Sequence, residues 1–201
     1  MREREKRTGG RQMERAEKGG KARLQEQLLK TRSIIIAGEI NQSLAEKVMT
    51  QLLLLQEAGD EPIKLFINSQ GGHVEAGDTI HDMIRFIKPR VIVIGTGWVA
   101  SAGITIFLAA EKENRYSLPT TRYMIHQPLG GVQGQASDIQ IEADEIVKMR
   151  GRINRMISAA TGQKLEKVEK DTQRNFWLDA EQAKEYGIVE HIVTRYEELS
   201  L

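Results

Sequence analysis

The sequence predicts an α/β fold in which helices cover a mainly parallel β-sheet. Short runs of β-branched and aliphatic residues alternate with longer segments in which apolar residues recur every three or four positions. This alternation is typical of βα units, whose strands lie parallel in one sheet. A chain of 201 residues is long enough to bury one substantial core. We therefore expect a single α/β domain.

Three βα units can be delimited in the first half of the chain. The first joins a strand at residues 33–38 to a helix that Asn41 can cap. The second joins a strand at residues 64–68 to a helix that Pro89 ends. The third begins with an apolar strand at residues 91–94. Each strand is therefore followed by a helix that can cross over to the next parallel strand.

Residues 91–110 carry no charged side chain, which is also what a membrane-spanning helix requires. Glycine and serine interrupt this run, and its first half is β-branched. We therefore interpret it as a buried strand, a turn over residues 95–101 and a buried helix. No association with a membrane is predicted.

The second half predicts a strand at residues 122–126, a glycine-rich segment and a long helix over residues 137–160. Isoleucines recur along one face of that helix, at positions 139, 146, 153 and 157. Because the helix begins beyond a glycine-rich loop, we expect it to project and to bury this face against another copy of the chain. Two short helices, at residues 164–171 and 179–186, and a strand at residues 188–194 complete the domain.

Composition restricts the partners and the compartment. Residues 1–24 form a charged arm with little to bury, which leaves one domain over residues 25–201. The formal net charge of +1 argues against a nucleic-acid partner. The chain has no cysteine, and its first residues lack the apolar segment of a signal peptide, so we expect a cytoplasmic protein.

Ser101 is the first candidate for chemistry. It lies in a glycine-flanked turn, Gly97-Trp-Val-Ala-Ser101-Ala-Gly103, between a predicted strand and a predicted helix. This pattern is similar to a nucleophile elbow, and a nearby helix N-terminus stabilises negative charge on a serine oxygen or an adjacent oxyanion. The alternative is that Ser101 only caps the helix, and the pattern alone does not exclude it.

A serine nucleophile needs a base, and the chain has four histidines. His126 ends a predicted strand, so it lies at the same sheet edge as Ser101 if the strands are parallel. His73 adjoins a second glycine turn, Asn68-Ser-Gln-Gly-Gly72. His81 lies within a predicted helix, and His191 lies within a predicted strand. A lone histidine at the end of a strand can equally be structural, so its role depends on geometry.

Four motifs occur together in the order and near the spacing of the ClpP family. They are Asn68-Ser-Gln-Gly-Gly72, the Ser101 turn, Met124-Ile-His126-Gln-Pro128 and Asp171-Thr-Gln-Arg-Asn175-Phe176. The chain therefore resembles this family from about Gln25 to Val193. The resemblance implies a ClpP/crotonase-like head of βα repeats with a parallel sheet. It also implies a projecting helix-strand handle over about residues 128–160.

The resemblance implies a serine endopeptidase. Ser101 would be the nucleophile, His126 the general base and later acid, and the backbone N–H groups of Gly72 and Ala102 the oxyanion hole. Asn175 stands where the family usually has the aspartate of the triad. A neutral amide cannot stabilise the imidazolium as a carboxylate does, so we expect weak or conditional activity.

Two aspartates near Asn175 could replace the missing carboxylate. Asp171 and Asp179 lie four residues before and after it in the sequence. Either one could serve only if the loop around Asn175 were rearranged, so Asn175 is the first candidate for the third position.

The resemblance also implies partners. These are heptameric rings, a double-ring tetradecamer interlocked through the handles, a separate AAA+ unfoldase that uses ATP, and a paralogous ClpP subunit as a further candidate. No metal or cofactor is expected on the chain itself. Two alternatives to the peptidase are a largely silent structural or regulatory ring subunit and a crotonase-type acyl-CoA enzyme. The latter explains neither Ser101 nor His126.

Overall fold

The computed structural model describes residue 20 and residues 23–200, so most of the predicted arm lies outside the described residues. The strands are β1 (Ser33–Ile40), β2 (Ile63–Gly72), β3 (Val91–Ala100), β4 (Arg115–Ser117), β5 (Arg122–Ile125), β6 (Phe176–Leu178) and β7 (His191–Ile192). They form one sheet in the order β1-β2-β3-β4-β7, with β5 also paired to β3 and β6 to β5. All of these pairings are parallel except β5 with β6.

Seven helices accompany the sheet in the described chain. They are α1 (23–30), α2 (Gln42–Ala58), α3 (Val74–Phe86), α4 (Ala102–Phe107), α5 (Ala136–Thr161), α6 (Leu165–Asp171) and α7 (Ala180–Tyr186). Asn41 caps α2, because its side chain accepts a hydrogen bond from the Leu44 N–H over 3.0 Å. The predicted alternation of strands and helices is confirmed.

The core lies between the sheet and the helices. Apolar side chains of the central strands are inaccessible to solvent, and α2 and α3 each turn one apolar face onto them. Full burial of a leucine or isoleucine side chain contributes about 1.5–3 kcal/mol. The positions that carry the i, i+3, i+4 pattern in the sequence are therefore those that fix each helix on the sheet.

The turn predicted over residues 95–101 is wrong, because β3 continues to Ala100. Between Gly95 and Val99 the register with β2 shifts, and Gly97 adopts a positive φ of 62° at this irregularity. The strand then pairs with β5 through Trp98, Val99 and Ala100. Gly95 and Gly97 therefore allow the strand to change direction without ending it. No helix of residues 23–200 is long and apolar enough to cross a membrane.

The end of the chain also differs from the prediction. Only His191 and Ile192 of the predicted strand at residues 188–194 pair with the sheet. The strands β4 and β6, each three residues long, have no counterpart in the sequence prediction. Such short strands cannot show a period of two, so their pairing depends on tertiary contacts.

The handle, defined as residues 128–160, consists mainly of α5. Residues 127–135 belong to no helix or strand of the described chain. The first half of α5 is exposed, including Ile141 and Val147 at 59% and 67%. Its second half returns to the head, where Ile153 and Ile157 are buried. The predicted long helix is thus confirmed, and only its second half is packed within this chain.

Candidate active site

Ser101 stands in a strained turn directly between β3 and α4. Its φ of 55° and ψ of −122° lie where a residue with a Cβ is rarely found. The Ser101 side chain makes no capping hydrogen bond to α4. The alternative that the Ser101 side chain only caps the helix is therefore wrong.

Glycines in the preceding β-to-α turn leave room for Ser101. A Cβ at Gly71 would stand 2.6 Å from the Ser101 Cβ and 2.7 Å from the Ala100 carbonyl oxygen. A Cβ at Gly72 would collide with the Ile40 carbonyl oxygen. Both glycines also have positive φ angles. The Gly-Gly pair of the sequence motif thus lets two β-to-α turns lie side by side.

His126 is hydrogen-bonded to Ser101. The distance between the His126 Nε2 and the Ser101 Oγ is 2.8 Å. The register of β3 and β5 produces this meeting, because Ala100 pairs with Met124 and the Ser101 N–H donates to the Met124 carbonyl. The expectation that parallel strands bring the serine and the histidine to one sheet edge therefore agrees with the geometry.

The surroundings of the His126 imidazole favour its neutral form. Partial burial lowers the pKa of His126 below its ordinary value of 6.5, and the nearby Asn175 side chain partly offsets this effect. A neutral imidazole can accept the Ser101 proton at neutral pH. The amide of Asn175 adds no negative charge that would favour the imidazolium once it forms.

A buried polar contact supports the loop that carries Asn175. The Thr172 hydroxyl donates to the Asn154 Oδ1 over 3.0 Å, and both side chains are buried. The Thr172 carbonyl accepts a hydrogen bond from the N–H of Gln127, the residue after His126. Asn154 of α5 thus holds the loop that also fixes the His126 segment. The sequence analysis missed Asn154, whose only signal is an amide on the buried face of a helix.

The two aspartates near Asn175 are committed to other contacts. Asp171 accepts hydrogen bonds from the Tyr186 hydroxyl and from Lys167, over 2.9 and 2.6 Å. Asp179 caps α7. Both carboxylates therefore stabilise neighbouring elements, and Asn175 is the side chain that interacts with His126.

Gly72 and Ala102 lie close to Ser101, as an oxyanion hole requires. Ala102 begins α4, and the first N–H groups of a helix have no partner within it. Gly72 follows Gly71, which packs directly on the Ser101 turn. Their role as oxyanion donors stays a prediction.

A small apolar pocket with an accessible volume of about 20 Å³ opens beside the serine and the histidine. Its lining residues are Val74, Ser101, Ala102, Ile104, Thr105, Ile125, His126, Pro128, Ile153 and Ile157. The handle helix α5 therefore contributes one wall. The sequence analysis did not predict this pocket, since an amphipathic pattern shows which face of a helix is buried but not what that face borders.

The remaining histidines have other contacts. The Nδ1 of His81 lies 2.7 Å from the Thr105 carbonyl, His191 stacks on Tyr116, and His73 lies beside Glu75. Among the described residues, no group of three or more His, Asp and Glu side chains is arranged to hold a metal ion. Among the four histidines, His126 is the one hydrogen-bonded to Ser101.

A strained serine at a β-to-α turn, hydrogen-bonded to a histidine beside an apolar pocket, is the arrangement of a serine hydrolase. The family model described as Clp protease matches residues 16–196. The ATP-dependent Clp protease proteolytic subunit 3 of Rhizobium johnstonii is 60% identical over 167 residues, which are 83% of this chain and 86% of that protein. The chain belongs to the Clp protease family, whose members are serine-type endopeptidases that form tetradecamers.

Solved structures agree with this assignment. ClpP1 from Listeria monocytogenes is 63% identical, with a TM-score of 0.80 over 88% of this chain and 99% of that chain. An Asn-to-Asp mutant of the same ClpP1 gives a TM-score of 0.83 at the same identity and coverage. The fold predicted from the alternation of strands and helices is thus confirmed by structures of the family.

Proposed function

We propose that this chain is the proteolytic subunit of a chambered, ATPase-fed protease and that Asn175 limits its activity. The single observation that supports the proposal most directly is the 2.8 Å hydrogen bond between Ser101 and His126. The substrates are unfolded polypeptides and short peptides. The chain itself needs no cofactor, because peptide hydrolysis by a serine proceeds through an acyl-enzyme, and a separate unfoldase uses the ATP.

The reaction begins when the Ser101 Oγ attacks the peptide carbonyl and its proton passes to the His126 Nε2. The N–H groups of Gly72 and Ala102 stabilise the oxyanion that forms. His126 then protonates the leaving amine, which releases the first product and leaves an acyl ester on Ser101. A water molecule, deprotonated by His126, hydrolyses this ester and restores both residues.

The pocket supports a preference for an apolar side chain next to the cleaved bond. Its walls are mainly aliphatic, and Ser101 is one of its lining residues. A substrate anchored there has its carbonyl close to the nucleophile. We infer that peptides with leucine or methionine before the cleaved bond are better substrates than peptides with a charged residue there.

Assembly is the second part of the proposal. The relatives that match this chain are named ATP-dependent Clp protease subunits, which supports an AAA+ unfoldase as partner. Exposed apolar residues on the outer half of α5 support the pairing of two heptameric rings through the handles. The second ring consists either of the same chain or of a paralogous subunit.

Hydrolysis of a short fluorogenic peptide tests the function. We would compare wild type with Ser101→Ala and Asn175→Asp and record the oligomer size of each sample. We expect slow hydrolysis by wild type, a gain with Asn175→Asp at unchanged assembly, and no hydrolysis with Ser101→Ala. For comparison, replacing the triad aspartate with asparagine in a serine protease lowers kcat about 10⁴-fold. Hydrolysis by Ser101→Ala equal to that of wild type would overturn the proposal.

A largely silent ring subunit is the second candidate, and Asn175 is the observation that favours it. Such a subunit would remain inert as assembled rings even with Asn175→Asp. It would change the hydrolysis rate of an active paralogue when the two are mixed. The crotonase-type alternative has no observation in its favour, because it assigns no role to the hydrogen-bonded Ser101 and His126.

A further inference from the structure

One ion pair holds a mostly buried carboxylate between two helices. Arg152 Nη2 donates to Asp78 Oδ2 over 2.6 Å, and the Asp78 side chain is only 17% exposed. The other oxygen, Oδ1, is buried and has no hydrogen-bond partner among the described residues. The hydrogen bond with Asp78 in turn raises the pKa of Arg152. The negative charge of Asp78 therefore depends on Arg152 for its compensation.

The pair joins two helices that both line the apolar pocket. Asp78 lies on α3, which contributes Val74 to the lining. Arg152 lies on α5 and directly precedes Ile153, another lining residue. A contact between these two helices therefore fixes the separation of two walls of the pocket.

The two walls differ in how firmly they are held. On α3, a Cβ at Gly77 would stand 3.1 Å from the Ala102 Cβ and 3.2 Å from the Thr105 Oγ1, so α3 and α4 pack closely. On α5, the buried side chains are Ile153, Asn154 and Ile157. A change in the ion pair should therefore move the α5 wall and leave the α3 wall in place.

We propose that Asp78 and Arg152 are positioning residues that set the width of the pocket and thereby the size of the apolar side chain it selects. This inference rests on the peptidase function proposed above. Without Arg152, the charge of Asp78 would lie uncompensated near Glu75 and Asp82, and α5 would shift. The pocket would then discriminate less well between apolar side chains, because such discrimination depends on close packing.

The test compares Arg152→Gln, Asp78→Asn and the double variant as intact oligomers. Lys148→Gln is the matched control, since it removes an exposed pair with Glu145 on the same helix. Two peptides differ only in leucine or alanine before the cleaved bond. We expect the ratio of their kcat/KM values to fall about fivefold in the single variants. The loss of selectivity should appear mainly as a higher KM for the leucine peptide, and the double variant should be no worse than either single one.

Hydrogen exchange of the backbone amides of residues 150–160 gives a second readout that needs no turnover. We expect faster exchange in Arg152→Gln and in the nearly isosteric Asp78→Asn, and wild-type exchange in Lys148→Gln. Wild-type exchange and selectivity in both pair variants would overturn the inference. If wild type neither hydrolyses peptides nor reacts with a fluorophosphonate, the peptidase function fails, and the exchange data alone decide whether the pair holds α5.

Discussion

At the scale of single residues, the site combines a strained serine with a histidine that is easily deprotonated. Partial burial lowers the pKa of His126, and a neutral Asn175 only partly offsets this effect. The base is therefore available over a wide pH range, but its protonated form gains no carboxylate partner. We therefore expect Asn175 to weaken the step in which the imidazolium must form.

The surroundings of His126, including Asn175, predict how the rate of Ser101 labelling depends on pH. His126 acts as a base only when neutral, so the rate of fluorophosphonate labelling of Ser101 should rise as the pH increases through the His126 pKa. In wild type we expect the midpoint below pH 6.5, since burial lowers that pKa. In Asn175→Asp the added carboxylate favours the imidazolium and should move the midpoint up by about 1 unit or more.

Labelling rates of both proteins between about pH 5 and 9 check this profile, because that range brackets the ordinary histidine pKa. The Ser101→Ala variant is the blank and should show no labelling at any pH. A wild-type midpoint above 6.5, or an unchanged midpoint in Asn175→Asp, would contradict the assignment of His126 and Asn175.

At the scale of elements, α5 connects the handle with the catalytic loop. Its buried Asn154 accepts a hydrogen bond from Thr172, and the carbonyl of Thr172 binds the N–H next to His126. Ile153 and Ile157 from the same helix line the pocket. One helix therefore positions the histidine segment, the loop of Asn175 and a wall of the pocket.

We predict that Asn154→Ala destabilises this connection. Loss of the buried hydrogen bond should lower the free energy of unfolding by about 1–2 kcal/mol. Peptide hydrolysis should fall about tenfold, because a small displacement of a catalytic group is costly in rate. Thermal unfolding and steady-state kinetics on the same samples measure both effects.

Arg155→Ala is the control for this prediction, since Arg155 is exposed on the same helix. It should leave both unfolding and hydrolysis near wild type. If Asn154→Ala matched Arg155→Ala in both measurements, the contact with Thr172 would have no part in positioning the site.

Much of the fold and part of the site could be predicted from the sequence, because hydrophobic patterns and capping residues agree with the helices and strands that form. The apolar strands, the Asn41 cap and the period of α5 each follow from near neighbours in the chain. Ser101 and His126 could be brought together because parallel strands end at one sheet edge. The short strands, the bulge at Gly97 and the contact of Asn154 with Thr172 depend on distant residues and leave little local signal.

At the scale of the whole molecule, the exposed half of α5 requires a partner. Ile141 and Val147 are 59% and 67% exposed, although both are aliphatic and lie on a helix. Because the family forms tetradecamers, we expect the second ring to supply the covering surface. The handle is therefore the part of this chain whose stability depends most on assembly.

We predict that Val147→Glu weakens the pairing of rings. A buried valine contributes up to about 2 kcal/mol, and a charge in its place would also have to be desolvated. Sedimentation should show a shift from tetradecamers towards single rings. Glu142→Gln, a change at an exposed position of the same helix, should keep the wild-type distribution. Tetradecamers of Val147→Glu at wild-type abundance would place the ring interface elsewhere.

The 26 residues of α5 form a rod about 39 Å long, with bare aliphatic side chains at one end and the floor of the reaction site at the other. In a newly synthesised subunit the outer half of this helix has no partner. The inner half, which lines the pocket, would then be held less firmly in position. Peptide cleavage would then become efficient only after the rings have closed around the site. Assembly itself would then protect the other proteins of the cell from cleavage.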